Sequence, residues 1–140
     1  MANAHDDVVT EVQALFAESG YRRTLGMRIE RGEGTEAVIE CDVTPQYANT
    51  QGVAHGGLVS GLVDTAAGVA VKFAEGNPRL KLATVSLTIN YHRPGRVGHV
   101  LRAVGRRVSG SGTPCCTVEV HDDEGQHIAT GIATMRVPRQ

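Results

Sequence analysis

From Leu58 to Phe73 apolar residues return at steps of three and four: Leu58, Leu62, Ala66, Val69 and Phe73, with Val59, Val63 and Ala70 beside them. That period predicts one long helix, apolar over most of its circumference. A single acid, Asp64, interrupts it. At about 100° per residue Asp64 falls opposite the stripe, and Gly57, Gly61 and Gly68 fall within roughly a 60° arc of it. Glycine inside a helix costs about 1 kcal/mol relative to alanine. Its missing Cβ lets another backbone or a ligand come close. A lone helical acid usually marks a solvated face; the glycine strip predicts a closely packed one here.

The other segments carry different periods. Val8, Val12, Leu15 and Phe16 give a short amphipathic helix over Val8 to Ser19, with Gly20 as its stop. Leu25 to Arg31 and Thr35 to Val43 read as strands across the turn Gly32-Glu33-Gly34, and Pro45 ends the second. The polar loop Gln46 to Ala54 leads into the long helix, which fades at Glu75-Gly76-Asn77-Pro78. From Leu80 to Tyr91, Ala83, Val85, Leu87, Ile89 and Tyr91 alternate strictly with Thr84, Ser86, Thr88 and Asn90, the mark of a strand with one buried face. After the turn His92-Arg93-Pro94-Gly95 come three more strands: Val97 to Val108, Thr113 to Asp122 and His127 to Val137. Short turns join them, which predicts an antiparallel meander. No repeat, low-complexity tract or linker divides the chain, so 1–140 reads as one domain with a helical lead-in over 1–24.

Composition narrows the function classes. A chain of 140 residues suits one domain with a modest core. A formal net charge of −1, no tryptophan and few aromatics argue against a nucleic-acid or membrane-surface binder. No stretch reads as a bilayer span, and Met-Ala-Asn-Ala-His-Asp-Asp lacks the basic and apolar regions of a signal peptide. Three cysteines, Cys41, Cys115 and Cys116, have no zinc spacing and fit reduced thiols in a cytoplasm. The six histidines show no metal-binding spacing, so no metal is expected. A helix this apolar needs a sheet wrapped around it. The Asp64 side then needs a cover, and a second copy of the chain is the simplest one.

The chemistry starts at the helix N-terminus. First-turn N–H groups have no partner inside a helix and carry the positive end of its dipole. In His55-Gly56-Gly57 they are sterically open, a ready place for a carbonyl oxygen that gains charge during a reaction.

Asn49, Gly52, His55-Gly56-Gly57 and Asp64-Thr65-Ala66, followed by the Thr84 to Pro94 strand and turn, resemble the hotdog-fold acyl-CoA thioesterases of the phenylacetic-acid-degradation (PaaI-like) type. The resemblance runs from about Gly26 to Val137, in element order as well as motif. It implies an α+β hotdog fold: an antiparallel sheet of about five to six strands around one central helix, with a short N-terminal helix. It implies hydrolysis of an acyl- or aryl-coenzyme A to free acid and CoA. Asp64 would then be general base or nucleophile, and the Gly56 N–H would polarise the thioester carbonyl. Asn49 and His55 would place the thioester, and the Thr84 hydroxyl would orient the water from the neighbouring subunit. The resemblance also places the CoA phosphates near Arg93, Arg96, Ser109, Gly110, Ser111 and Arg136. It implies a homodimer or dimer of dimers, with coenzyme A as part of the substrate and no separate cofactor. A hotdog hydratase or dehydratase, or a non-catalytic acyl-CoA binder, is the alternative.

Overall fold

Helix α3, Gly56–Glu75, is the core around which the rest of the computed structural model, describing residues 3–138, is built. His55 caps its start and Gly76, at φ 61°, its end, a left-handed conformation that glycine adopts without strain. Leu62, Val63, Ala66, Ala67, Ala70 and Val71 are fully buried. The helix spans 20 residues with a mean hydropathy of 1.4 over its best window, so by length and composition it matches a bilayer span, which corrects the expectation from sequence. Packing explains the pattern instead, because its apolar surface lies against the sheet.

Before α3 come α1 (Ala4–Glu18), α2 (Gly20–Thr24), β1 (Arg28–Glu33) and β2 (Glu36–Asp42); after it come β3 (Ala83–Tyr91), β4 (Val100–Ser109), β5 (Cys115–Asp122) and β6 (His127–Arg136). Gly20 does not stop the lead-in. Ser19 ends α1, accepts a hydrogen bond from the Arg22 N–H and starts a second short helix at Gly20. The six strands form one antiparallel sheet in the order β1-β2-β4-β5-β6-β3. The meander is therefore β4-β5-β6 alone. β3 crosses to the far edge beyond β6, leaving its other side unpaired among the described residues.

Glycines let the sheet touch the helix. A Cβ on Gly105 would lie 2.5 Å from the Ala66 carbonyl oxygen, and one on Gly131 would lie 2.5 Å from Val63 Cγ1. Contacts this close bring the helix axis down onto β4 and β6.

Two bulges decide which residues face α3. In β3 the register passes from Thr84↔Met135 to Ser86↔Thr134, leaving Val85 as the extra residue. Met135 is buried against the core. Thr84 therefore shares the helix-facing side with Leu87, Ile89 and Tyr91, and the strict alternation expected for this strand is broken. In β6 the pairs Val120↔Ala129 and His121↔His127 leave Ile128 as the extra residue, which puts His127 and Thr130 on one face.

Candidate active site

The loop before α3 shapes its N-terminus. Asn49 Oδ1 accepts from the Gln51 N–H at 2.9 Å and the Val53 N–H at 3.4 Å, and the Gly52 N–H returns to the Asn49 carbonyl at 3.0 Å. Gly52 makes that turn at φ 77°. The His55 N–H donates to the Tyr47 carbonyl at 2.9 Å, tying loop to helix. His55 Nδ1 then accepts from the Gly57 N–H at 2.8 Å. That bond occupies the nitrogen nearest the helix start.

Capping by His55 leaves the first amide open. Among the described residues the Gly56 N–H meets no acceptor. It lies in a cleft of about 360 Å³ lined by Asn49, Gly56, Val59, Tyr91, Arg93 and their neighbours. Tyr91 donates its hydroxyl to the Gly56 carbonyl at 2.8 Å, tying the end of β3 to the first turn of α3.

Asp64 sits in a different cavity, of about 190 Å³, with Arg22, Thr65, Lys72, Thr84 and Met135 among its walls. The Thr84 hydroxyl donates to Asp64 Oδ1 at 2.6 Å. The other carboxylate oxygen has no hydrogen-bond partner among the described residues. The bulge at Val85 aims Thr84 at this carboxylate. Thr84 thus engages the Asp64 of its own chain. Val85 is the register change that sequence alternation could not supply.

Two cations face the same cavity. Arg22, whose guanidinium stacks 4.4 Å over the Phe16 ring, is pulled down from its usual pKa by burial, and the charge of Asp64 pulls it back up. Burial also lowers Lys72, and the Arg22 charge lowers it further. Asp64 is thus an acid in an otherwise electropositive recess. Sequence reading passed over Arg22, Lys72 and Tyr91. Only the Tyr-Arg-Arg run following Gly20 and the aromatic end of β3 hinted at them.

The glycine strip is partly filled from within the chain. The Tyr21 hydroxyl stands where a Gly61 Cβ would be, and His55 stands close beside Gly57. The lead-in therefore covers part of the Asp64 side, which the sequence reading had left for a second subunit to cover.

Asn49 and Gly56 thus share one cavity, Asp64 and Thr84 another, and His55 lines a third beside Tyr47 and Leu58. Arg93 is at the Gly56 cleft, donating to the His127 carbonyl at 3.1 Å. Arg96 is held by Glu124 at 2.9 Å. Ser109, Gly110 and Ser111 are exposed at the β4–β5 turn, beside exposed Arg136 at the end of β6. Burial pushes the Cys41 and Cys116 thiols up to about 11, so both stay protonated and unreactive.

The thioesterase superfamily matches this chain over residues 51–129. The medium/long-chain acyl-CoA thioesterase YigI of Escherichia coli is 28% identical over 131 residues, covering 84% of each chain. A putative esterase of Halobacterium salinarum is 29% identical over 143 residues, covering 96% of this chain and 95% of its own. Among solved structures, the E. coli PaaI protein of the phenylacetic acid degradation operon superposes with a TM-score of 0.84 at 23% identity, over 98% and 97% of the two chains, a likeness of fold. A hypothetical thioesterase protein from Streptococcus pneumoniae, crystallised with coenzyme A, gives 0.74 at 29% identity over 81% and 87%.

Proposed function

Since the chain belongs to the thioesterase superfamily, as a thioester hydrolase of hotdog fold, we propose that it hydrolyses acyl- or aryl-coenzyme A at a site shared between two copies. The observation that carries this reading is the distance between the two halves. Gly56 and Asp64 are eight residues apart on one straight helix, about 12 Å of axial rise. A carbonyl accepts a hydrogen bond at about 3 Å and is attacked from about 3–3.5 Å. The two groups also open into separate cavities, which supports a carbonyl held by Gly56 of one copy and met by Asp64 of another.

β3 supplies the way to join them. Its Thr84 end adjoins Asp64 and its Tyr91 end adjoins Gly56. Its outer edge is unpaired, and Val85 and Tyr91 are 60% and 52% exposed. An unpaired edge strand is a template for another strand. Antiparallel pairing of β3 with β3 of a second copy sets the Thr84 end of each against the Tyr91 end of the other. A two-fold axis then builds two equal sites, each with Asp64 and Thr84 from one protomer and Gly56 and Asn49 from its partner. The same pairing brings Arg93 and Arg96 of one copy toward Ser109 to Ser111 and Arg136 of the other, a basic rim for the CoA phosphates. A dimer of dimers would add nothing this scheme needs.

In this scheme the Gly56 N–H polarises the thioester carbonyl and holds the oxyanion as it forms. The free oxygen of Asp64 takes a proton from water, which attacks the carbonyl carbon. The tetrahedral intermediate expels the CoA thiolate, and the proton held by Asp64 returns to it. Thr84 fixes the carboxylate while this happens. Three cysteines with no disulfide among the described residues suit a reducing compartment, so the cytoplasm is the proposed location.

Release of thiol from a panel of short, long and aryl CoA thioesters tests the reading. Turnover of at least one class with stoichiometric thiol and free acid is expected; water addition to an enoyl-CoA without thiol release would instead indicate a hydratase. Thr84→Val keeps the shape and removes the donor. It should lower kcat about ten- to hundredfold, the worth of a hydrogen bond to a charged group, with KM nearly unchanged in steady-state assays.

A further inference from the structure

The face of the sheet turned away from α3 carries a second constellation. Glu119 and His121 alternate along β5 with buried Val118, Val120 and Asp122, so they point outward. Strict alternation along β6 would put His127 on the inner side with Ala129 and Gly131. The bulge at Ile128 turns it outward, directly opposite His121. His121 and His127 stack with ring centroids 4.7 Å apart, and His127 Nε2 lies 2.6 Å from Glu119 Oε2. One ligand atom from each of the three lies within 4.8 Å of the others.

We propose that Glu119, His121 and His127 form a binding site for a divalent transition-metal ion, Zn²⁺ being the best match, on the sheet face turned away from α3. The donor set, two imidazoles and one carboxylate, suits zinc, and three protein ligands leave a fourth position for water. Tetrahedral zinc at about 2.0–2.1 Å from each donor needs donors about 3.3 Å apart. The His127–Glu119 pair opens slightly and the stacked rings of His121 and His127 turn toward each other to reach that spacing. All three groups are half-buried, so little mobility is lost on binding.

The surroundings hold the site ready. Thr130 Oγ1 lies 3.0 Å from His127 Nε2 and 2.9 Å from His92 Nε2, and the His92 ring packs 4.5 Å from that of His127. Asp122, between the ligands in the hairpin, accepts the Glu124 and Gln126 N–H groups through Oδ1, both at 2.9 Å. This makes the β5–β6 turn stiff and fixes the two histidines across from each other. Without metal, the contact between His127 and Glu119 holds the two side chains together.

The experiment is a Zn²⁺ titration of tag-free protein by calorimetry. One ion per chain is expected. Glu119→Gln, His121→Ala and His127→Ala should each weaken binding more than tenfold, with far-UV circular dichroism unchanged. Cys115→Ser tests the half-exposed thiol four residues along the same strand and should leave affinity within twofold. Wild-type affinity no tighter than that of the triple variant, or loss of binding in Cys115→Ser, would overturn the assignment. Thioester hydrolysis should persist in metal-free protein, since none of the three ligands is Asp64 or Gly56.

Discussion

Asp64→Asn should lose about a thousandfold in kcat for CoA-thioester hydrolysis, within the range assigned to a positioned general base. Asparagine has the same shape as aspartate. It can still accept the Thr84 hydroxyl, so the cavity with Arg22 and Lys72 keeps its walls. It can neither take a proton from water nor attack the carbonyl carbon. Substrate binding should survive, because in the proposed dimer Gly56, Asn49 and Tyr91 of the other copy still form the rest of the cleft. Calorimetry with a non-hydrolysable acyl-CoA analogue would show near-normal affinity beside the lost turnover. That split separates an enzyme from a simple acyl-CoA binder, in which Asp64→Asn would matter for neither quantity. Turnover close to wild type in the variant would remove Asp64 from the chemistry.

Gly56→Pro should lower kcat about a hundredfold, the lower end for removing one oxyanion donor. The substitution acts on a single N–H. Position 56 is the first residue of α3, where proline is well tolerated because its missing N–H has no helical partner. His55 already sits at φ −58° and ψ 138°, the extended conformation that a residue before proline requires. A Cβ there meets only ordinary contact, 3.6 Å from the Tyr91 hydroxyl. Gly56→Ala keeps the N–H and should hold activity within a fewfold, which separates the donor from the shape of the turn. Steady-state assays on both variants, with thermal melts to confirm folding, check the prediction.

How much of this is legible in the sequence depends on the range of the interaction. α3 is plain because its period, its caps and its glycines all act within a few residues of one another. Asp64, His55 and Gly56 are legible for the same reason. The two bulges are not. Nothing local in Ala-Thr-Val-Ser says that Val85 is extra, because that depends on what β6 offers across the sheet. The same holds for His127, whose side follows from Ile128 filling the core and not from the spacing of histidines. Metal-ligand spacing rules look along the chain, whereas Glu119, His121 and His127 meet across a strand pair. α2 escaped notice because Ser19 serves both as the end of one helix and as the cap of the next. The separation of Gly56 from Asp64 could have been computed from residue count alone. What the fold adds is β3, a strand whose two ends touch the two halves and whose free edge is unpaired.

The most direct test mixes two dead proteins. Asp64→Asn and Gly56→Pro chains are combined in equal amounts, unfolded and refolded together so that subunits exchange, with exchange confirmed by native mass spectrometry. In a mixed dimer, the Gly56→Pro chain contributes its Asp64 and the Asp64→Asn chain its Gly56, so one of the two sites is whole. With half the dimers mixed, activity should return to about a quarter of wild type. If both groups worked within one chain, every site in the mixture would carry a lesion. Activity fixed at the level of the separate parents, after proven exchange, would contradict the shared site.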